Sequence, residues 1–191
     1  MRVDRHQRLP LSFSQRRLWF LDQLEPGSPR YNVPVAVRLG GPLDMAAFLD
    51  TAKALVRRHE TLRTRFQSRD GDPSQVIMAR TPVSVCIVDL EGLAGARAEK
   101  ESQRVAFEQG AVGFDLSSGA LMRVCAVRLA EDDHEVLLTL HHIVSDGWSM
   151  GVLVREVSVL YAAQSAGRAA SLPPLPAVSY THLTLPTTPY V

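Results

Sequence analysis

The sequence predicts an α/β protein, a two-layer sandwich in which helices pack against a mixed sheet. Three observations carry that expectation. Val33, Val35, Val37 and Leu39 alternate with the period of a strand, and further strand-like runs occur at 83–88, 121–129 and 135–141. Met45, Phe48, Leu49, Ala52, Leu55 and Val56 fall on one face at helical spacing. The chain has 191 residues, 46% apolar and 21% charged, the balance of one globular domain with a core of its own.

Taken in order, the elements have local chemical reasons. Ser12-Phe13-Ser14-Gln15 fits a capping box, so a helix should start there and run to about Leu24, where Pro26, Gly27 and Pro29 end it. The strand of alternating valines follows and is broken by Gly40-Gly41-Pro42, after which Asp44 caps the amphipathic helix. Segments 64–67 and 75–79 flank Asp70-Gly71-Asp72-Pro73, which reads as a hairpin turn. After the strand at 83–88, the alanine- and charge-rich stretch from Leu93 to about Gln109 reads as a helix with a weak apolar stripe. Leu121 to Leu129 and Glu135 to His141 are strands joined by the acidic loop Glu131-Asp132-Asp133, and Trp148 to about Gln164 is helical. One sheet with helices packed against it accounts for this order.

Composition excludes several function classes. The 21 basic and 20 acidic side chains nearly cancel, which leaves no footprint for nucleic acid or an anionic membrane. No run approaches the roughly 18 apolar residues of a membrane span, and the polar start Met1-Arg2-Val3-Asp4 is not a secretory signal. A cytoplasmic location follows as the expectation. Cys86 and Cys125 lie far apart without metal or redox spacing and read as buried reduced thiols. No G-x-G-x-x-G or P-loop pattern is present.

Three segments then stand out in order: Leu11 to Leu21 (LSFSQRRLWFL), Arg58 to Phe66 (RHETLRTRF), and His141-His142-Ile143-Val144-Ser145-Asp146-Gly147-Trp148-Ser149. They resemble the first three core motifs of nonribosomal peptide synthetase condensation domains. Tyr31-Asn32-Val33-Pro34, Phe114-Asp115-Leu116 and the Pro-rich 172–176 extend the likeness. The resemblance implies a chloramphenicol-acetyltransferase-like fold, with residues 1–176 as the N-terminal lobe of a two-lobed domain whose C-terminal lobe is missing. Residues 177–191 depart from the family; Val178 to Leu183 resembles a reading frame of a sequencing adapter, so this tail is expected to be non-native.

The implied reaction is attack of an acceptor amine on a donor thioester carbonyl. Both partners are presented on phosphopantetheine arms of donor and acceptor peptidyl carrier proteins, beside an adenylation domain in the same polypeptide. No cofactor is expected on this chain itself, because it shows no carrier-like serine motif. The amine must shed a proton, and a neutral imidazole suits that task. Neighbouring side chains of an extended segment point to opposite faces, so His141 and His142 should not share one cleft. The resemblance assigns His142 to the reaction, His141 to support, and Asp146 to a structural ion pair with an arginine here or in the missing lobe.

Gly147 would permit a tight turn and close approach of substrate, and the helix start after it offers free backbone donors. Adjacent diverging histidines make a metal site the weaker reading. Trp19 and Trp148 are expected in the core, the cluster Arg57, Arg58, Arg63 and Arg65 mostly on a solvated face, Arg63 in a structural ion pair, and His59 and Glu60 in structural roles. Amide formation between an L-configured donor and an L-acceptor is the leading function. The alternatives are an epimerisation or starter-acyltransferase relative, or a catalytically inert lobe. A lobe exposed at its missing interface should also be prone to aggregate.

Overall fold

A computed structural model describes residues 8–175. The centre is a four-stranded sheet in the order β2-β7-β6-β5, formed by β2 (Asn32–Gly40), β5 (Ser84–Asp89), β6 (Met122–Ala130) and β7 (Asp133–His141). β2 and β6 flank β7 antiparallel, whereas β5 joins β6 in parallel. The parallel pair requires a crossover, and helix α3 (Gly95–Ala111) supplies it. Pro34 is tolerated because β2 is an edge strand, with a free side for a residue that lacks an N–H.

The period of two along β6 sorts its side chains between two cores. Met122, Val124 and Ala126 meet α2 (Met45–Arg58) and α4 (Gly147–Ser165) through Phe48, Leu55, Val56, Leu153 and Leu160. Cys125, Val127 and Leu129 face α3 through Ala98 and Val105. Both faces of the sheet are therefore covered. The mixed α/β class is as expected, but the helices divide between the faces, adding a layer to the two-layer reading.

A single sheet is not what forms, either. The hairpin of β3 (Thr64–Arg69) and β4 (Asp72–Ile77) builds a separate three-stranded sheet with β1 (Leu9–Pro10), a strand that the sequence pattern does not predict. The turn is confined to Asp70 and Gly71, whose φ angles of 54° and 83° make the two-residue reversal that suits a hairpin's twist. Asp72 and Pro73 are strand residues opposite Arg69 and Ser68; β1 pairs only with Ser74 and Gln75, so Pro73 has no second neighbour to supply with an N–H.

A third core, of Leu11, Phe66, Phe114, Leu116, Leu121 and Ile143, joins this sheet to the segment after β7. Helix α1 (Phe13–Leu24) leans on it through Leu18 and Trp19, with both bonds of the expected Ser12–Gln15 capping box formed. The outer side of α1 leaves Phe13, Phe20 and Leu24 exposed. Gly113 holds the loop after α3 against the loop after α1: a Cβ there would lie 1.8 Å from the Gly27 carbonyl oxygen.

Candidate active site

β7 ends at His141, and the chain turns through residues 142–146 before α4 begins. Many hydrogen bonds fix this turn. The His142 N–H donates to the Tyr31 carbonyl at 2.8 Å, the Val144 N–H to the His141 carbonyl at 3.1 Å, and the Ser145 hydroxyl to that same carbonyl at 3.2 Å. Ile143 is buried in the third core, anchoring the turn from below. Asp146 then caps α4: its Oδ1 accepts from the Ser149 N–H at 2.7 Å, while its own N–H donates to Ser149 Oγ at 2.7 Å. One of the helix-start donors is thereby used by the cap.

The two histidines diverge as the alternation argument requires, although His142 has already left the strand. His141 is 1% exposed, with the Phe114 ring edge-on at 6.1 Å and Tyr31 tilted at 6.4 Å, whereas His142 is exposed. Their partners dictate opposite tautomers. A carbonyl oxygen only accepts, so His142 Nδ1, 2.7 Å from the Ser145 carbonyl, carries the proton and Nε2 keeps its lone pair. A backbone N–H only donates, so His141 Nδ1, 3.0 Å from the Ile143 nitrogen, is bare and Nε2 is protonated.

Burial, and then the neighbouring His142 charge, push His141 down to about 4 from 6.5. The unfolded chain takes up this proton near 6.5 and the folded chain only near 4. The contribution of neutral His141 is thus fully present above pH 6.5, declines as pH falls, and is spent below about 4. The loss amounts to roughly 3 kcal/mol. Denaturant midpoints measured between pH 7 and 4 should fall accordingly, and His141→Phe should flatten that decline.

Gly147 opens α4 with no positive φ, and a Cβ on it would meet nothing within 4 Å. The turn itself therefore places no demand for a glycine there, and the space beside its backbone is open. Trp148 is 84% exposed, so its core assignment is corrected: the first turn of α4 points this side chain away from the sheet. Trp19 does pack on the third core.

The second motif lies behind α4 as a support. Arg58 donates through Nε to Glu156 Oε2 at 2.8 Å and through Nη2 to Oε1 at 3.1 Å, and Nη2 also reaches the Pro173 carbonyl. His59 Nε2 donates to the same Oε2 at 2.8 Å. Glu156 is 4% exposed. Burial raises its carboxyl, but the bonds from Arg58 and His59 outweigh that and hold it below the usual range. The solvated-face reading thus fails for Arg58, Arg63 and Arg65, which are half-buried, and holds for Arg57. Arg63 pairs with Glu60 at 3.3 Å and caps the Met78 carbonyl, the structural role expected of it. Glu156 itself was missed, since a lone glutamate in an apolar helix carries no local signal of its partners.

Asn32 and Arg123 close the end of α3. Asn32 Nδ2 donates to the carbonyls of Gly110 and Val112 at 2.7 Å each, and Arg123 reaches those of Gln109, Val112 and Gly113 while lying 3.8 Å above Phe114. Phe114 thus contacts both Arg123 and His141. Among the described residues, no three His, Cys, Asp or Glu side chains gather to hold a metal ion, and no helix is long and apolar enough to cross a membrane.

This fold, with a paired-histidine turn between a strand and a capped helix, defines a lobe of the chloramphenicol-acetyltransferase-like class. Over 87% of its length the chain matches the first condensation domain of the calcium-dependent antibiotic synthetase, with a TM-score of 0.80 and 29% identity, covering 40% of that chain. The family model for the condensation domain matches residues 5–183, and the chain belongs to this family of nonribosomal peptide synthetase domains. It is 47% identical over 161 residues to a linear gramicidin synthase of Brevibacillus parabrevis, covering 84% of this chain and 3% of that protein. It is 45% identical over 175 residues to phosphinothricin tripeptide synthetase PhsC of Streptomyces viridochromogenes, covering 92% of this chain and 16% of that protein. The chain thus spans a small part of such relatives.

Proposed function

We propose that this chain is the N-terminal lobe of a condensation domain and supplies the histidine that handles the proton during amide formation. The acceptor's amine attacks the donor's thioester carbonyl. The proton it sheds passes to His142 Nε2, and the C–S bond breaks as the tetrahedral intermediate collapses, with that proton available to the departing thiolate. Both substrates arrive on phosphopantetheine arms of carrier proteins, and an adenylation domain in the same polypeptide loads the acceptor. Holding the two tethered partners together supplies much of the rate. The observation that carries the proposal is the fixed tautomer of His142, which leaves Nε2 basic on an exposed side chain.

The neighbouring residues fit supporting roles. His141, neutral and buried, fixes the turn through Ile143; Asp146 fixes the start of α4; Gly147 leaves room beside His142 for the substrate. The exposed Phe13, Phe20, Leu24 and Trp148 support the reading that further protein covers this lobe. Residues 176–191, which include the proposed non-native tail, lie outside the described residues. The test offers carrier proteins loaded with donor and acceptor to residues 1–191 and to a domain completed from the flanking gene. Dipeptidyl thioester should form only with the completed domain; turnover by residues 1–191 alone would overturn the single-lobe reading. That flanking sequence also decides between the L-to-L reaction and its epimerising or starter-acylating relatives.

A further inference from the structure

The four-stranded sheet brings together two thiols that the sequence keeps far apart. Cys86 in β5 is the register partner of Cys125 in β6. Such neighbours in a parallel pair project to the same face, with Cα atoms about 4.8 Å apart, inside the range of about 4.4–6.8 Å that a disulfide spans. Both pack in the core beneath α3, Cys125 buried within it and Cys86 against it. Both are reduced; Cys125 is buried, whereas Cys86 is partly exposed and sits on the edge strand, where β6 is its one sheet neighbour. The two thiols thus differ in access while sharing one position in the ladder.

We propose that Cys86 and Cys125 form an oxidisable dithiol, a modification site that hydrogen peroxide closes into a cross-strand disulfide fastening β5 to β6. Cys86 is the thiol that meets the oxidant. Its thiolate attacks one peroxide oxygen, the O–O bond breaks, and Cys86 becomes a sulfenic acid with release of water. The Cys125 sulfur then displaces the sulfenic hydroxyl, which leaves as a second water as the S–S bond forms. Two thiols have lost two electrons, and one peroxide has become two waters. Burial, and then the Cys86 thiol, raise Cys125 to about 12, which keeps it from reacting first.

The test treats the folded 191-residue chain with one equivalent of peroxide, followed by intact mass measurement and digestion without reductant. The expected product has lost two hydrogens, yields a single linked peptide pair joined through Cys86 and Cys125, and returns to the starting mass with dithiothreitol. In Cys125→Ser, Cys86 should instead stop as a sulfenic acid that dimedone labels. Cys86 gaining two or three oxygens while Cys125 still alkylates after unfolding would overturn the proposal. So would a link that forms only once urea has unfolded the chain, or two thiols that both survive the peroxide.

Discussion

His142→Ala in the completed domain is expected to reduce peptide-bond formation by about 10²–10⁴-fold, the range that removal of a positioned acid–base group produces. Stability should barely change, because His142 is exposed and makes one side-chain hydrogen bond, to the Ser145 carbonyl. His142→Gln serves as a control, since its amide can keep a polar contact at the turn but has no titratable nitrogen. If Nε2 handles the proton, Gln is as inactive as Ala; if the ring only shapes the turn, Gln recovers much of the rate. Single-turnover kinetics with loaded carriers distinguish these outcomes, provided that binding of the carriers is measured separately.

Glu156→Ala carries the largest expected stability effect. The carboxylate is the shared acceptor for Arg58 and His59, and removing it leaves a half-buried guanidinium and an imidazole N–H without their partner. Breaking a fully buried pair costs about 3–5 kcal/mol. Arg58 keeps some contact with water and with the Pro173 carbonyl, so the lower part of that range, about 3 kcal/mol, is expected here. Glu156→Gln should lose less, because an amide oxygen still accepts one of the bonds. A urea titration checks this, and a change below about 0.5 kcal/mol for the alanine variant would mean that α2 and α4 hold together by apolar packing alone.

The network also has a functional side. Glu156 lies on α4, whose first residue follows Asp146 and the histidine turn, while Arg58 and His59 end and follow α2. The second motif therefore braces the helix that the third motif starts. No residue of the second motif needs to meet a substrate to matter for the reaction.

What the sequence disclosed and what it withheld follow the range of the interactions. Both ends of the Ser12–Gln15 box, the Asp44 cap and the Asp70-Gly71 reversal lie within a few residues of each other, so short patterns reveal them. The divergence of His141 and His142 needed only the period of an extended chain. By contrast, the parallel pairing of β5 with β6, the meeting of Cys86 with Cys125, and the reach of Arg58 to Glu156 depend on how distant segments dock. Trp148 was misplaced for a related reason: helical pattern shows that a face exists, but which face meets the sheet is set by packing, and α4 is apolar on more than one side. The family resemblance singled out His141 and His142, and their opposite hydrogen-bond partners came from three-dimensional contacts.

Adjacent histidines held in opposite tautomers are central to this site, and long-range ¹H–¹⁵N spectra of the ring nitrogens test them most directly. Near neutral pH, the neutral His142 ring should show a protonated Nδ1 and a bare Nε2, and His141 the reverse, with His141 staying neutral until the pH approaches about 4. Two rings with the same tautomer, or a His141 that titrates near 6.5, would contradict the claim that the turn prepares His142 Nε2 to accept a proton.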